Sequence, residues 1–557
     1  MPKVRLRLIV ASIALSLLSI HPLVFTHAQR SGIDTYAITN ARIVPVSGPP
    51  IDKGTVIIRN GLIEAVGASV SVPSDARVID GNGLIVYPGL IDSYTNLALP
   101  EAAATPAAGG GGGGGGFFQA APRPSPGGPN STQPIGLQPE VMVEDVIRTG
   151  APDIEASRNV GITAALTLPR TGIWMGQSAL INLSGDSPQQ MIVRSPVAMH
   201  VGFTPLRGSY PGSLMGVFAT LRQMMLDAQR YRDSMQIYER NPTGIRRPEV
   251  DRSLAALVPV VEGKMPVVMY ANTEREISRA LDLGVEFKLK TIIAGGREAD
   301  RVAARLAQLK VPVLLSLNLP RRTTAALPEA DPESMRVLRE RVDAQQTAGK
   351  LAKAGVRFGF QSGSLTNMSD LLVNASRAIE NGLSTDDALR AFTIWPAEIL
   401  GAGSQLGTIE KGKIANLTVM RGDLFDRNSR LAQVFIDGRQ IDLRPTTGPA
   451  TTQTRGSLTG AWSVTLSLGT DTKTATLNLQ QEGDRLRGSI EGSLGSAEIS
   501  NASTGNEIRF TVPVNIDGQT KEATFAGTLA GPEIKGSVTI EGRAPGTFTA
   551  TRSGSPN

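Results

Sequence analysis

Cysteine is absent from this 557-residue chain, and histidine occurs three times. Without cysteine there are no disulfides, no Cys-ligated zinc, no iron–sulfur cluster, no thiol nucleophile and no lipid attachment through an N-terminal cysteine. Aromatic residues make up 4% of the chain, and no Lys/Arg cluster is interleaved with them, so a nucleic-acid surface is not expected. Beyond the N-terminus no apolar run is long enough to span a bilayer. What the chain does have is 41% hydrophobic and 19% charged residues, enough apolar content for the cores of several domains and too much for wholesale disorder.

The N-terminus reads as a secretory signal. Lys3, Arg5 and Arg7 precede an apolar run from Leu8 to Leu18, and Thr26, His27 and Ala28 suit signal peptidase. Ser12, Ser16, Ser19 and His21 dilute the run below what a membrane anchor needs. Removal of residues 1–28 predicts a periplasmic or secreted protein with no membrane span. It lowers the formal charge from +6 to +3 and leaves His200 as the last histidine.

Residues 36–90 predict short strands, with Asn60-Gly61 as a hairpin turn. Eight consecutive glycines, Gly109–Gly116, sit in a Gly-rich insertion over 101–134 that reads as an irregular loop rather than a lid. From about 140 to 400, buried strands at Met265–Tyr270, Thr291–Ala294, Val311–Leu315 and Val356–Phe360 alternate with helical segments at Arg275–Phe287, Arg297–Leu309 and Pro332–Ala354. Repeated βα units predict a TIM-like (β/α)-barrel in an α/β fold. Leu214–Arg240 predicts a long amphipathic helix whose methionines face the core. Strand character returns over 405–442, at Leu406–Ile409, Ala415–Met420 and Gln433–Ile436. The expected organisation is a signal segment 1–28, a discontinuous β-sandwich module (34–90 and 401–444) and a barrel over 91–400. A linker 445–456 then leads to an all-β C-terminal domain 457–557 of eight short strands, a small barrel or sandwich.

Two segments carry a family likeness. Val86–Asn96 (VYPGLIDSYTN) follows a strand module containing Lys53–Ile58, and Ala391–Leu417 reads AFTIWPAEILGAGSQLGTIEKGKIANL. The pair resembles the amidohydrolase superfamily, especially its imidazolonepropionase-like branch, over roughly 36 to 442. That resemblance implies hydrolysis of non-peptide C–N bonds, often in cyclic amides, by one or two metal ions at the C-terminal mouth of the barrel. It also implies a His-x-His pair on the first strand, single His on the fifth and sixth, and Asp on the eighth. Here those positions fall on Tyr94 and Asn96, on Tyr270, on Gly295, and on Gln361, Ser362 or Gly363. One histidine cannot supply four ligands, so no metal and no cofactor is expected. Asp92 matches a family position of structural role, and Glu101, Glu274 and Glu298 do not rebuild the set.

Candidate pocket residues remain. Tyr94, Asn96, Tyr270 and Asn272 form a Tyr-x-Asn pattern at two strand ends, able to orient a carbonyl or to fill a vacated cavity. His200 is a general base or a packed side chain, and Gln361 closes the set. Gly295-Gly296 before Arg297-Glu298 is a turn that could meet an anion, and Ser362 and Ser364 lack a nucleophile elbow. Three readings follow: a metal-free pseudo-hydrolase that binds a small cyclic amide or peptide-like ligand or partners a paralogous active subunit; an altered hydrolase of cyclic amides using the Tyr/Asn pocket; and a secreted structural or interaction module.

Overall fold

The structure is a computed structural model. It describes residues 35–100, 133–134, 136–206, 210–320, 333–363, 365, 367–443 and 458–552, the last without 469–470, 483–484, 493–494, 505–507, 517–518, 531–532 and 541–545. The signal segment, the glycine run, the linker and Ser364 lie outside the described residues. The chain divides into two compact units between Arg444 and Pro445.

The first unit opens with β1 (Tyr36–Ile43), β2 (Ile51–Arg59), β3 (Leu62–Gly67), β4 (Arg77–Asp80) and β5 (Ile85–Pro88). The middle of the unit holds β6 (Leu90–Thr95), β7 (Ile162–Thr167), β8 (Trp174–Gln177), β9 (Ala179–Asn182), β10 (Ile192–Arg194), β11 (Met199–Gly202), β12 (Val267–Ala271), β13 (Thr291–Gly295), β14 (Val313–Ser316) and β15 (Phe358–Gln361). β16 (Leu417–Arg421), β17 (Arg430–Ile436) and β18 (Arg439–Ile441) complete it. β16 pairs antiparallel with β5, Leu417 opposite Pro88, so the chain re-enters the module it left. The module is one continuous mixed sheet of eight strands, not the two separate sheets of a sandwich. The reason lies in β1: its first half, Tyr36–Thr39, pairs with β4 and its second, Arg42–Ile43, with β5, and register breaks beside Asn40 (φ 57°) let it change partner. Leu406–Ile409, expected as a strand, is irregular; Leu406 and Ile409 are buried as apolar anchors without a ladder.

In the barrel, β6, β7 and β11 to β15 run parallel. One position departs from the simple βα repeat. β8 runs antiparallel beside β11 and β9 antiparallel beside β7, so a bent segment around Ser178 bridges the two parallel groups. The ring closes between β6 and β15, where the Ser93 hydroxyl donates to the Phe360 carbonyl at 2.7 Å. Helices α1 (Pro152–Arg158), α2 (Pro188–Met191), α3 (Leu214–Arg240), α4 (Arg252–Val261), α5 (Glu274–Glu286), α6 (Ala303–Leu309), α7 (Met335–Lys353), α8 (Asp370–Glu380), α9 (Thr385–Phe392) and α10 (Ile394–Ile399) connect and cover the strands. Their starts are written locally: Ser213 and Asp251 cap α3 and α4, and Thr273 with Glu276 makes a capping box on α5. The predicted helix Arg297–Leu309 starts instead with a 3-10 turn, Ala299–Val302, because Gly295 (φ 92°) and Gly296 (φ 66°) swing the chain sharply off β13. Ile91, Ala164, Leu166, Val268, Ile292, Ala294 and Leu314 fill the barrel with Ala397, Leu400, Ala402 and Leu406, which close its N-terminal end.

The second unit is β19 (Gly460–Leu468), β20 (Asp471–Glu482), β21 (Arg485–Gly492), β22 (Gly495–Glu498), β23 (Ser500–Thr504), β24 (Ile508–Ile516), β25 (Gln519–Ala530), β26 (Glu533–Ile540) and β27 (Gly546–Arg552). These nine strands exceed the expected eight because Ala497–Ser500 divides between β22 and β23. The antiparallel path returns on itself: β27 pairs with β19 and β20 with β21. Alternation puts Trp462, Leu477, Phe510, Phe525 and Phe548 in its core, with the Phe510 and Phe525 rings stacked at 4.9 Å.

Candidate functional site

The C-terminal ends of β6, β11, β12 and β15 bring four of the sequence candidates to the mouth of the barrel. The Tyr94 ring lies 5.7 Å from that of Tyr270, nearly parallel, and 5.7 Å from the His200 ring, tilted. Tyr94 is thus the middle of a three-ring cluster joining three strands, stacked on one side and tilted on the other. The two asparagines do not join it. Asn96 donates its amide to the Leu168 carbonyl at 2.8 Å. The Asn272 amide oxygen lodges against Gly295, where a Cβ would come within 2.6 Å of it, so glycine at the sixth-strand position makes room for this asparagine.

His200 is fully buried, and neither ring nitrogen has a hydrogen-bond partner among the described residues. Burial lowers its pKa from 6.5 to about 3, so the ring is neutral and is no proton store near pH 7. Burial, with the neighbouring Tyr270, raises the Tyr94 phenol far above its usual range, which makes it a poor acid. Tyr270 is 40% exposed. With Asn272, Arg297 and Ser316 it lines a small cavity of about 50 Å³ on the α7 side of the mouth. Gln361 is buried at the end of β15. Its amide nitrogen donates to the Leu314 carbonyl at 2.7 Å, and its oxygen has no partner among the described residues. Ser362 is buried just beyond it.

Asp92, passed over as structural in the sequence, ties the closing seam. One carboxylate oxygen accepts from the Ser362 backbone N–H at 3.0 Å and from the Tyr94 N–H at 3.4 Å. The other oxygen has no partner among the described residues. Burial outweighs these bonds and lifts its pKa from 3.8 to about 6. The signal for its position was present in the fragment around Ile91-Asp92. Nothing local pointed to its partner on β15.

This donor set does not fit the metal ions the fold family uses. Tyr94 carries a phenol that resists ionisation, Asn96 and Gln361 offer only neutral amide oxygens, and Gly295 has no side chain. Among the described residues no three His, Cys, Asp or Glu side chains gather closely enough to hold an ion.

Comparison with known proteins agrees with this barrel and its module. The model of the amidohydrolase family matches residues 271–441. A solved amidohydrolase from Thermotoga maritima superposes with a TM-score of 0.61 at 25% identity, covering 73% of this chain and all of that one. These matches support the amidohydrolase superfamily for the barrel and its module. Among curated members, the imidazolonepropionase of Idiomarina loihiensis is 53% identical over 49 residues, 8% of this chain and 12% of that protein. The N-substituted formamide deformylase of Arthrobacter pascens is 38% identical over 65 residues, 11% of this chain and 12% of that protein. The matches thus span about one eighth of the length of these amidohydrolases. They support the superfamily and its TIM barrel with a β-rich domain, not one member's activity.

Proposed function

We propose that this amidohydrolase-like chain is a metal-free pseudo-hydrolase, whose barrel mouth binds a small cyclic amide or peptide-like ligand without metal-dependent hydrolysis. The observation that carries this reading is the pairing of the Tyr94 and Tyr270 rings, 5.7 Å apart, at two positions where the family resemblance expects metal ligands. Tyr270, 40% exposed, offers a ring face on which a planar amide can stack, while the buried neutral imidazole of His200 and the Tyr94 phenol that resists ionisation are poorly suited to activating water. The same reading leaves room for a paralogous active subunit as the binding partner, in the periplasm or outside the cell.

One observation favours a second reading. Tyr270 stays exposed beside Asn272 and Arg297, so a phenol is available to a carbonyl at the small cavity. An altered hydrolase of cyclic amides would work there.

Metal analysis of the purified protein with a screen of cyclic dipeptides and lactams decides between them, with Tyr270→Phe and Asn272→Ala as variants. Ligand binding without turnover, and less than stoichiometric zinc, supports the pseudo-hydrolase. Turnover lost in both variants supports the second reading. Stoichiometric tightly held zinc overturns both.

A further inference from the structure

The N-terminal end of the barrel carries a feature that the mouth does not explain. A pocket of about 500 Å³ opens there, at the starts of β12, β13 and β14 and beside the end of α10. Four cationic side chains line it: Arg194 at the end of β10, Lys264 before β12, Lys290 before β13 and Lys310 at the end of α6. General basicity does not account for this grouping, since the chain has 56 Lys and Arg against 50 Asp and Glu.

The pocket's cations are under-neutralised. Lys264 pairs with Glu262 at 2.9 Å. Arg194, Lys290 and Lys310 have no ion pair among the described residues, and Glu398, behind the pocket, is held by Arg357 at 2.6 Å. Arg194 is seated on purpose: its guanidinium donates to the Gly401 carbonyl, and a Cβ on Gly401, whose φ is +72°, would collide with it. The volume lies in the range of small-molecule sites. A fork of guanidinium N–H groups beside two mobile ammonium groups matches tetrahedral oxyanions.

We propose that this pocket is a binding site for a small polyanion bearing phosphate groups, with Arg194, Lys290 and Lys310 as its charged contacts. The site is separate from the mouth and does not depend on the reading of the mouth as catalytic or silent.

Titration calorimetry of the full chain with inorganic pyrophosphate tests it. Binding should weaken by about tenfold or more in Lys290→Ala/Lys310→Ala, and should fall steeply as salt is raised. Arg194→Gln should weaken it as well, and thermal unfolding without ligand should be unchanged in Lys290→Ala/Lys310→Ala. The charge-matched variant Arg246→Ala/Arg247→Ala should bind as the parent does. A second arm uses phosphatidylcholine vesicles containing phosphatidylglycerol. Vesicle capture that pyrophosphate displaces assigns the site to a lipid headgroup; pyrophosphate binding without vesicle capture assigns it to a soluble phosphate ester. No binding of either probe, an unweakened Lys290/Lys310 variant, or equal weakening in the Arg246/Arg247 control overturns the proposal.

Discussion

The two ends of the barrel share strands and differ in what fills them. At the N-terminal end, Ala397, Leu400, Ala402 and Leu406 form an apolar plug beneath the strands. At the C-terminal end, Asp92, His200 and Gln361 are buried, and each keeps a polar atom without a hydrogen-bond partner among the described residues. Unmet polar atoms in an interior cost free energy that packing must offset. The contrast teaches that the scaffold is packed from below, while the mouth is where buried polar and aromatic groups such as Asp92, His200 and Tyr94 gather.

Breaking the lower end should cost most. Leu406→Ala removes a buried side chain from the closing cluster and should destabilise by about 2–5 kcal/mol in urea unfolding. A loss below about 1 kcal/mol would mean that the floor is not the anchor.

The upper end can be read by pH. His200 has its folded pKa lowered to about 3, so between that value and 6.5 the unfolded chain binds the extra proton, and stability falls as pH falls. Asp92 has its folded pKa raised to about 6, so between 3.8 and that value the folded chain binds the extra proton, and stability rises as pH falls. From pH 6 to 4 these two oppose each other. Asp92→Asn should expose the His200 slope, up to about 1.4 kcal/mol lost per pH unit of acidification. His200→Leu should expose the opposite slope. Identical profiles for the two variants would contradict the assignment.

His200→Leu at pH 7 sharpens the comparison further. It removes two unpartnered nitrogens at similar volume, and should stabilise by about 1 kcal/mol, opposite in sign to Leu406→Ala. Smallest of all, Arg357→Ala breaks an exposed pair with Glu398 at the lower end, and should change unfolding by less than about 1 kcal/mol, vanishing in high salt.

Much of the architecture was legible because buried parallel strands are short apolar runs. Thr291–Ala294 was located within one residue of β13, and Leu214–Arg240 coincides with α3. The bent antiparallel segment Trp174–Asn182 was not legible, since apolar periodicity carries no strand direction. At the site, the scarcity of histidine could be counted, and the twin Tyr-x-Asn pattern pointed to the mouth. That the two tyrosines would meet while Asn96 turned to Leu168 depended on register breaks in β6 that no local residue announces. His200 reaches Tyr94 through the ring of strands, not through sequence spacing.

The pairing of β5 with β16 has a consequence for how the protein is made. Residues 85–88 wait at an open edge until residues 417–420 have left the ribosome, so the first strands remain unfinished while the whole barrel is synthesised. A nascent chain stalled before Leu417 would display a sticky β-edge to any chaperone within reach, and release of the last strands would act as the clasp that ends that exposure.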